Sequence, residues 1–498
     1  MAYSVMMNSR LRGLACCLVL LAAAPAPAPA ALPEPSRPSM PGREIPLDGQ
    51  SVDLTLDDAV FLGLRNNRAI HGAYLERTAQ KFDLKVAEDR FAPKIVVKSR
   101  HIAAQNQNDR YSQTEVTPET TLLSHYGTRF SLSWNNRVTL ANDGGYTRND
   151  GASFTIVQPL LRGAGRDVVT APLRMAHLAE RVNRLKLKAT VSNTITQIIT
   201  AYHELLRAQE HSKIARDALA RSHQLVEMNK TLIANGFMVE TEIVQAEADV
   251  IIQEAAILET ANQLDAARLK LLRLLALDLD TQIRVVDTLA ARYVHVSQEQ
   301  ALAAAREQQP AYLIQRLAVE QAAIDLAVAR NENQWDVSLI GGASQVRDRY
   351  PSENGYRTDH NWENRAGIKI DIPFGDLSRH QAEVHARVNA RNQDIRLNDA
   401  QQTLEREVND AVRDLDTRWQ QYGIARRACD LSRRKLEIER EKLRVGLSSN
   451  FEVLSYEADL RSAETARINS LIAYLDSQAM LDQTLGTTLE SWDIELND

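Results

Sequence analysis

The sequence predicts a mainly α-helical protein with a smaller all-β portion, built by duplicating one helix–strand–helical-hairpin unit. Three observations carry this: long stretches free of helix breakers, two segments of period-two alternation, and an internal repeat. Leu173 to Asn235 contains neither Gly nor Pro, and the same holds from Phe237 to Gln309 and from Leu447 to Leu485. Between Asp376 and Val445 the one breaker is Gly423. A helix over Pro172–Asn235 reaches nearly ~100 Å at 1.5 Å per residue, with Pro172 suited to its first turn and Gly236 to its end.

Apolar residues recur at three- and four-residue steps, as in Leu178, Val182, Leu185, Ala189 and in Ile195, Ile198, Tyr202, Leu205. That is the stripe of a helix packed as in a coiled coil. Helices of this length cannot bury their faces in one globule, so they must pair as hairpins and with other subunits.

Strand-rich insertions are expected at about 94–160 and 335–374. In the first, Phe130, Leu132, Trp134, Val138 and Leu140 alternate with polar residues. In the second, Ala366, Ile368, Ile370, Ile372 and Phe374 do so. One greasy and one polar face suit either a soluble sheet over a core or a membrane β-barrel, apolar outward.

A 242-residue displacement aligns Leu56–Ser99 with Gln298–Gly341, placing Ala59, Leu75, Asp83 and Leu84 on Ala301, Leu317, Asp325 and Leu326. A 210-residue displacement places Gly236, Glu242 and Glu247 on Gly446, Glu452 and Glu457. The first half therefore carries about 30 more residues in its strand region, enough for an enlarged loop or an extra hairpin.

The 498 residues are 44% hydrophobic and 25% charged, with net charge −6 and no basic run, so no nucleic-acid partner is expected. No stretch beyond the N-terminal leader approaches ~20 apolar residues, which excludes a multi-span helical membrane protein. Arg10 and Arg12 before an apolar run, Leu14 to Ala24, and the small-x-small site Ala28-Pro29-Ala30 read as a secretory signal peptide over 1–30. Cys16 and Cys17 open the apolar run in a poor lipoprotein box, so lipid anchoring is disfavoured. Cleavage leaves Cys429 as the only thiol, and no intrachain disulfide can form. A Pro-rich linker follows at 31–50, then a first structural repeat at 51–290 with its helical hairpin at about 168–277. The second repeat spans 291–490 with its hairpin at about 376–486, and a tail closes the chain at 491–498.

With these elements in order, the sequence resembles the TolC-type outer-membrane efflux proteins over about residues 50–486. Leu54-Thr-Leu-Asp-Asp-Ala-Val60 followed by Asn66-Asn67 is similar to that family's opening helix. Phe154-Thr-Ile-Val-Gln-Pro-Leu-Leu-Arg-Gly163 is similar to its strand-to-helix junction, and Ile368–Phe374 repeats it. Ala201-Tyr202, Leu205-Leu206 and Ala208-Gln209-Glu210 resemble its long-helix signature.

The resemblance implies a homotrimer in which each subunit lends strands, four in a standard member, to one β-barrel. Its helices would continue that barrel as a periplasmic tunnel. It also implies outer-membrane lipid around the barrel, a periplasmic adaptor (membrane fusion) protein, and an inner-membrane pump of RND, ABC or MFS type. No reaction and no cofactor are implied.

Chemistry elsewhere in the chain is sparse. His203-Glu204 begins a metalloprotease-like pattern, but Arg207 takes the second histidine position, so the ligand pair is missing. Gly163-Ala-Gly165 lacks the third glycine of a dinucleotide loop. With Pro159, and with Pro373 and Gly375 in the second half, it reads as a hinge where strand becomes helix. The hairpin turns carry the functional expectation. Gly236, Phe237 and Met238, with Val445, Gly446, Leu447 and Ser448, are expected to contact the adaptor, with Phe237, Met238 and Leu447 exposed. Glu242 and Glu452 are expected to form an acidic periplasmic gate, against the plainer reading of helix N-terminal acids. Rival readings are a periplasmic adaptor, which has one hairpin rather than two, an exported coiled-coil scaffold, and an exported hydrolase.

Overall fold

The computed structural model describes residues 52–496 apart from Asn106, Asn108 and Leu289. The expected signal peptide and Pro-rich linker lie outside the described residues. The first half runs β1 (Val52–Leu54), α1 (Leu56–Asn66), α2 (Arg68–Glu88), β2 (Lys94–Gln105), β3 (Arg110–Leu123), β4 (Arg129–Ala141), β5 (Gly145–Pro159), α3 (Ala171–Ala234) and α4 (Ile243–Leu275). The second runs β6 (Ile283–Val285), α5 (Gln298–Gln308), α6 (Pro310–Glu332), β7 (Asp336–Ser352), β8 (Gly355–Asp371), α7 (Leu377–Arg444) and α8 (Asn450–Leu485). No helix among the described residues is long and apolar enough to cross a membrane.

Local chemistry explains the element ends. Thr55 and Asp58 form a reciprocal capping box at the start of α1. The side-chain oxygen of Asn67 accepts from the N–H groups of Ala69 and Ile70 at the start of α2. Its counterpart in the repeat, Gln309, accepts from Tyr312 N–H at 2.7 Å. α3 and α7 are 64 and 68 residues long, and each returns through a shorter partner, α4 or α8.

The largest core gathers where the two halves meet. β1 and β6, three residues each and invisible to pattern reading, pair in parallel, Val52 opposite Ile283 and Leu54 opposite Val285. Those four side chains pack on Ile195, Ile198 and Tyr202 of α3 and on Leu271, Leu272 and Leu275 of α4. Each such buried aliphatic contributes about 1.5–3 kcal/mol. α1 lies so close to α3 that a Cβ on Gly63 would fall 2.1 Å from Ile198 Cδ1. The phenol of Tyr202 donates into Asp287 Oδ2 at 2.5 Å, and the same oxygen accepts from Leu56 N–H. Burial, followed by the bond to Asp287, pushes the phenol's pKa far above its ordinary value.

The six long strands form one sheet in the order β2-β3-β4-β5-β7-β8, with every ladder antiparallel. Directly paired residues share a face. Ile95 and Val97, Leu132 and Trp134, Phe154 and Ile156, Leu339, and Ile368 and Ile370 all fall on one side. Lys98, Glu119, Ser133, Ser153 and Lys369 fall on the other. Toward the hinges the apolar side is bare, with Ile95, Val97, Leu132, Trp134, Leu339, Ile368 and Ile370 all exposed, whereas farther out it carries Arg148 and Arg347 around a buried Asp150.

The extra length of the first half is a hairpin. The 242-residue displacement lays β2 on β7, and the 210-residue displacement lays β5 on β8. β3 and β4 have no counterpart and are threaded between β2 and β5.

Candidate functional site

Two regions gather the residues singled out by sequence: the hairpin tips and the strand-to-helix hinges. At the first tip, Phe237 N–H reaches back to Leu232 C=O and Gly236 N–H to Ile233 C=O, with Gly236 at φ +77°. At the second, Leu447 N–H reaches Lys442 C=O and Gly446 N–H reaches Leu443 C=O, with Gly446 at φ +74°. Both are left-handed C-terminal caps that glycine accepts without strain.

Phe237, Val239, Val445, Leu447 and Phe451 are exposed at these turns, Leu447 by 78%. Met238 departs from expectation. It is half-buried against a small tip core of Leu225, Leu232, Val250, Leu443 and Val453, because its flexible thioether folds back over the hairpin.

Glu452 is the N3 residue of α8. Its carboxylate accepts from Ser449 N–H at 3.1 Å and Ser448 Oγ at 2.9 Å, while Ser449 Oγ accepts from Glu452 N–H. Those donors, the Ser449 N–H foremost, hold its carboxyl below the usual carboxylate range. Glu439, buried on α7, is likewise lowered, first by the Ser448 hydroxyl and then by Lys442. Glu242 is half-buried in a single 3-10 turn before α4.

Just above the tips lie polar groups that the sequence reading missed. Asn229 of α3 and Asn450 of α8 are both fully buried, and Asn229 Nδ2 donates to Asn450 Oδ1 at 3.0 Å. Asn450 Nδ2 in turn donates to Glu242 C=O at 3.1 Å. Glu457, 8% exposed, lies between two arginines: Arg221 of α3, at 2.8 Å, and Arg440 of α7. Arg221 also reaches Glu464 at 3.7 Å, and Arg433 reaches the same carboxylate at 3.3 Å. One signal was available: Asn229 occupies an apolar stripe position between Leu225 and Leu232. A polar residue there needs a buried partner.

At the hinges, Pro159 ends β5, and Gly163, Gly165 and Gly375 take φ of +75°, +91° and +75°. Pro373 lies between the end of β8 and Gly375. Asn331, at the end of α6, clamps the first hinge. Its Oδ1 accepts from Gly163 N–H at 2.7 Å and its Nδ2 donates to Leu161 C=O at 3.0 Å.

Among the described residues no group of three His, Cys, Asp or Glu side chains converges to hold a metal. His203 is buried and faces Asp476 at 2.7 Å.

Residues 301–487 match the family model described as outer membrane efflux protein. The fold is that of solved outer-membrane channels. VceC of Vibrio cholerae superposes with a TM-score of 0.66 at 16% identity, covering 86% of this chain and 96% of its own. The CmeC outer membrane channel of Campylobacter jejuni gives 0.64 at 15%, covering 87% and 86%. The open state of the MtrE outer membrane channel of Neisseria gonorrhoeae gives 0.62 at 15%, covering 87% and 89%. No curated protein sequence matches the chain.

Proposed function

We propose that this chain is a TolC-type outer-membrane efflux protein and the outer-membrane exit duct of a tripartite efflux or type I secretion system, a reading supported by the family match over residues 301–487 and by the fold. It is a passive conduit rather than an enzyme, lodged in the outer membrane with a long periplasmic portion. One observation carries the reading. A two-faced antiparallel sheet, bare on its apolar side, leads through Pro–Gly hinges into helices of 64 and 68 residues. In lipid every backbone polar group needs an internal partner, so such a sheet can span only as part of a closed barrel. One chain leaves both sheet edges unpaired, and three copies close them. The helices of the three copies then continue the barrel as a tunnel with buried inner contacts.

The gate belongs to the tips. Glu242 and Glu452, repeated around a threefold axis, place six carboxylates at the narrow end, where they favour cations over anions. The Asn229–Asn450–Glu242 chain and the Arg221–Glu457–Arg440 cluster fasten the two hairpins to each other, so opening must loosen them. Exposed Phe237, Val445 and Leu447 are the apolar contacts offered to a periplasmic adaptor, which couples the duct to an inner-membrane pump.

The test is planar-bilayer recording of protein purified from outer membranes, before and after Glu242→Gln and Glu452→Gln together. Channel currents whose cation preference falls in the double variant are expected. Currents of unchanged selectivity would remove the acidic gate, and absence of current from both the parent and a variant with the tip clasp removed, Asn450→Ala, would remove the duct.

A further inference from the structure

We infer that the inserted β3–β4 hairpin is a wall element, so that the shared barrel has eighteen strands and its seam joins β8 of one copy to β2 of the next. This rests on the trimeric duct proposed above and fixes the partner surface within it.

The hairpin keeps the face parity of the strands on either side of it. β3 pairs with β2 from Lys94↔Thr121 to Gln105↔Arg110, and β4 pairs with β5 from Arg129↔Val157 to Ala141↔Gly145. Along these ladders Val116, Thr120 and Leu122 of β3, with Phe130, Leu132, Trp134 and Val138 of β4, join the apolar side. Glu115, Glu119, Ser133 and Arg137 join the polar side. A hairpin folded into the lumen as a plug would have no reason to carry the lipid-facing alternation. Away from the hinge end Arg110, Ser112 and Thr114 of β3 and Asn136 of β4 also fall on the apolar side, and Pro118 interrupts one ladder. It lacks an N–H, and the β3–β4 ladder skips Thr117 and Pro118 while the β2–β3 ladder runs through them.

The two halves are also related by pseudo-symmetry. Under the duplication β2 corresponds to β7 and β5 to β8, so the pair that joins the two halves inside one chain, β5 with β7, is a template for β8 with β2 of the next copy. β5 and β7 are paired from Arg148↔Arg349 to Pro159↔Ser338. Six alternating strands bring β8 and the neighbour's β2 together antiparallel, as the template requires. Within one chain β2 and β8 are the two outer strands of the sheet and are not paired with each other. The displacement linking β5 to β8 is 210 residues at the hairpin tips (Gly236 to Gly446) and 214 at the hinge prolines (Pro159 to Pro373). Both are even, so the face is fixed. The template pair Gln158↔Leu339 carries Val97 opposite β8 or its continuation between Ile368 and Ile372, on the apolar side.

Strands about 4.8 Å apart and tilted ~40° give a barrel radius of ~18 Å for eighteen strands against ~12 Å for twelve. The barrel is then an open antechamber, and selection among cargo falls to the helical tip.

Two measurements test this on the full-length protein. Electron cryomicroscopy of the purified particle should show eighteen wall strands. A threefold particle with twelve, and the hairpin outside the wall, would overturn the inference and leave the duct intact; a monomer would overturn the duct itself. In membranes, Val97→Cys combined in turn with Ile368→Cys, Ile370→Cys or Ile372→Cys should give reducible dimers and trimers at one position at least. Val97→Cys with Lys369→Cys or Asp371→Cys, on the opposite face, should give none. Equal yields on both faces, or none anywhere, would contradict the seam.

Discussion

Asn229 and Asn450, 221 residues apart in sequence, meet in the tip core through a 3.0 Å amide hydrogen bond with no solvent exposure on either side. The bond ties α3 to the start of α8, and Asn450 passes the link on to Glu242. An unmade bond to a buried amide costs about 1–3 kcal/mol. Asn450→Ala, which strands Asn229 and frees the Glu242 turn, should raise the frequency of channel opening in bilayer recordings and lower the melting temperature. Closed-state behaviour identical to the parent protein would show that the pair does not hold the tip.

Glu457 compensates two arginines from two different helices, Arg221 on α3 and Arg440 on α7. Removing one partner of a mostly buried cluster costs roughly 3–5 kcal/mol because the remaining charges stay desolvated. Glu457→Gln should therefore loosen the contact of α8 with both long helices. Faster amide exchange around Arg221 and Arg440 is the expected signature, with exchange at the Tyr202 core unchanged. Protection that stays at the parent level at both arginines would contradict it.

Acid acts on the second tip with a defined sign. Glu452 and Glu439 carry lowered pKa values, held by the Ser449 N–H with the Ser448 hydroxyl, and by the Ser448 hydroxyl with Lys442. A depressed carboxylate contributes stability that is complete above its unfolded value, about 4.5, and lost as pH falls through its lower folded value. The turn at Gly446–Glu452 should thus be protected from exchange at pH 7 and lose that protection below about pH 4.5. In Glu452→Gln the protection should be weaker at pH 7 and less dependent on pH. A variant as acid-sensitive as the parent would assign the transition elsewhere.

The hinge glycine Gly163 has open space where a Cβ would sit, but its φ is +75°. Its replacement therefore acts through backbone strain alone, about 1–2 kcal/mol. Gly163→Ala should reduce the yield of assembled protein in the outer membrane modestly. Gly163→Val should reduce it more, and Asn331→Ala, which releases two hinge hydrogen bonds, should behave like the alanine variant. Normal assembly of all three would mean the hinge tolerates other routes.

The proposed adaptor contact should separate from conduction. Phe237→Asp with Leu447→Asp changes two exposed side chains outside the tip core. The pair should abolish efflux in cells while leaving single-channel conductance within roughly twofold, since both side chains are exposed on the chain. Full efflux activity would place the adaptor surface elsewhere.

The long helices and the two-faced strands were legible because their signals are cumulative. Breaker-free runs such as Leu173–Asn235 and alternation such as Phe130–Leu140 repeat one rule many times. β1 and β6 were not legible, since three residues give no period. The duplication located the surplus in the first half, but only the pairing of β3 and β4 resolved it as a hairpin. Met238 was misjudged because exposure at a turn depends on how a flexible side chain folds back. The Asn229–Asn450 pair and the Arg221–Glu457 bridge escaped because their partners are more than 200 residues apart, although Arg440 lies only 17 residues from Glu457. A lone Asn at a stripe position was the one local hint.

The account stands most directly on the mass of the protein extracted from the outer-membrane fraction, corrected for bound detergent. It predicts three chains, each at or just below the 55.7 kDa of the full sequence, in one particle. A monomer or dimer recovered from the soluble periplasmic fraction would contradict it, because the bare apolar face of the sheet would then cover an ordinary core.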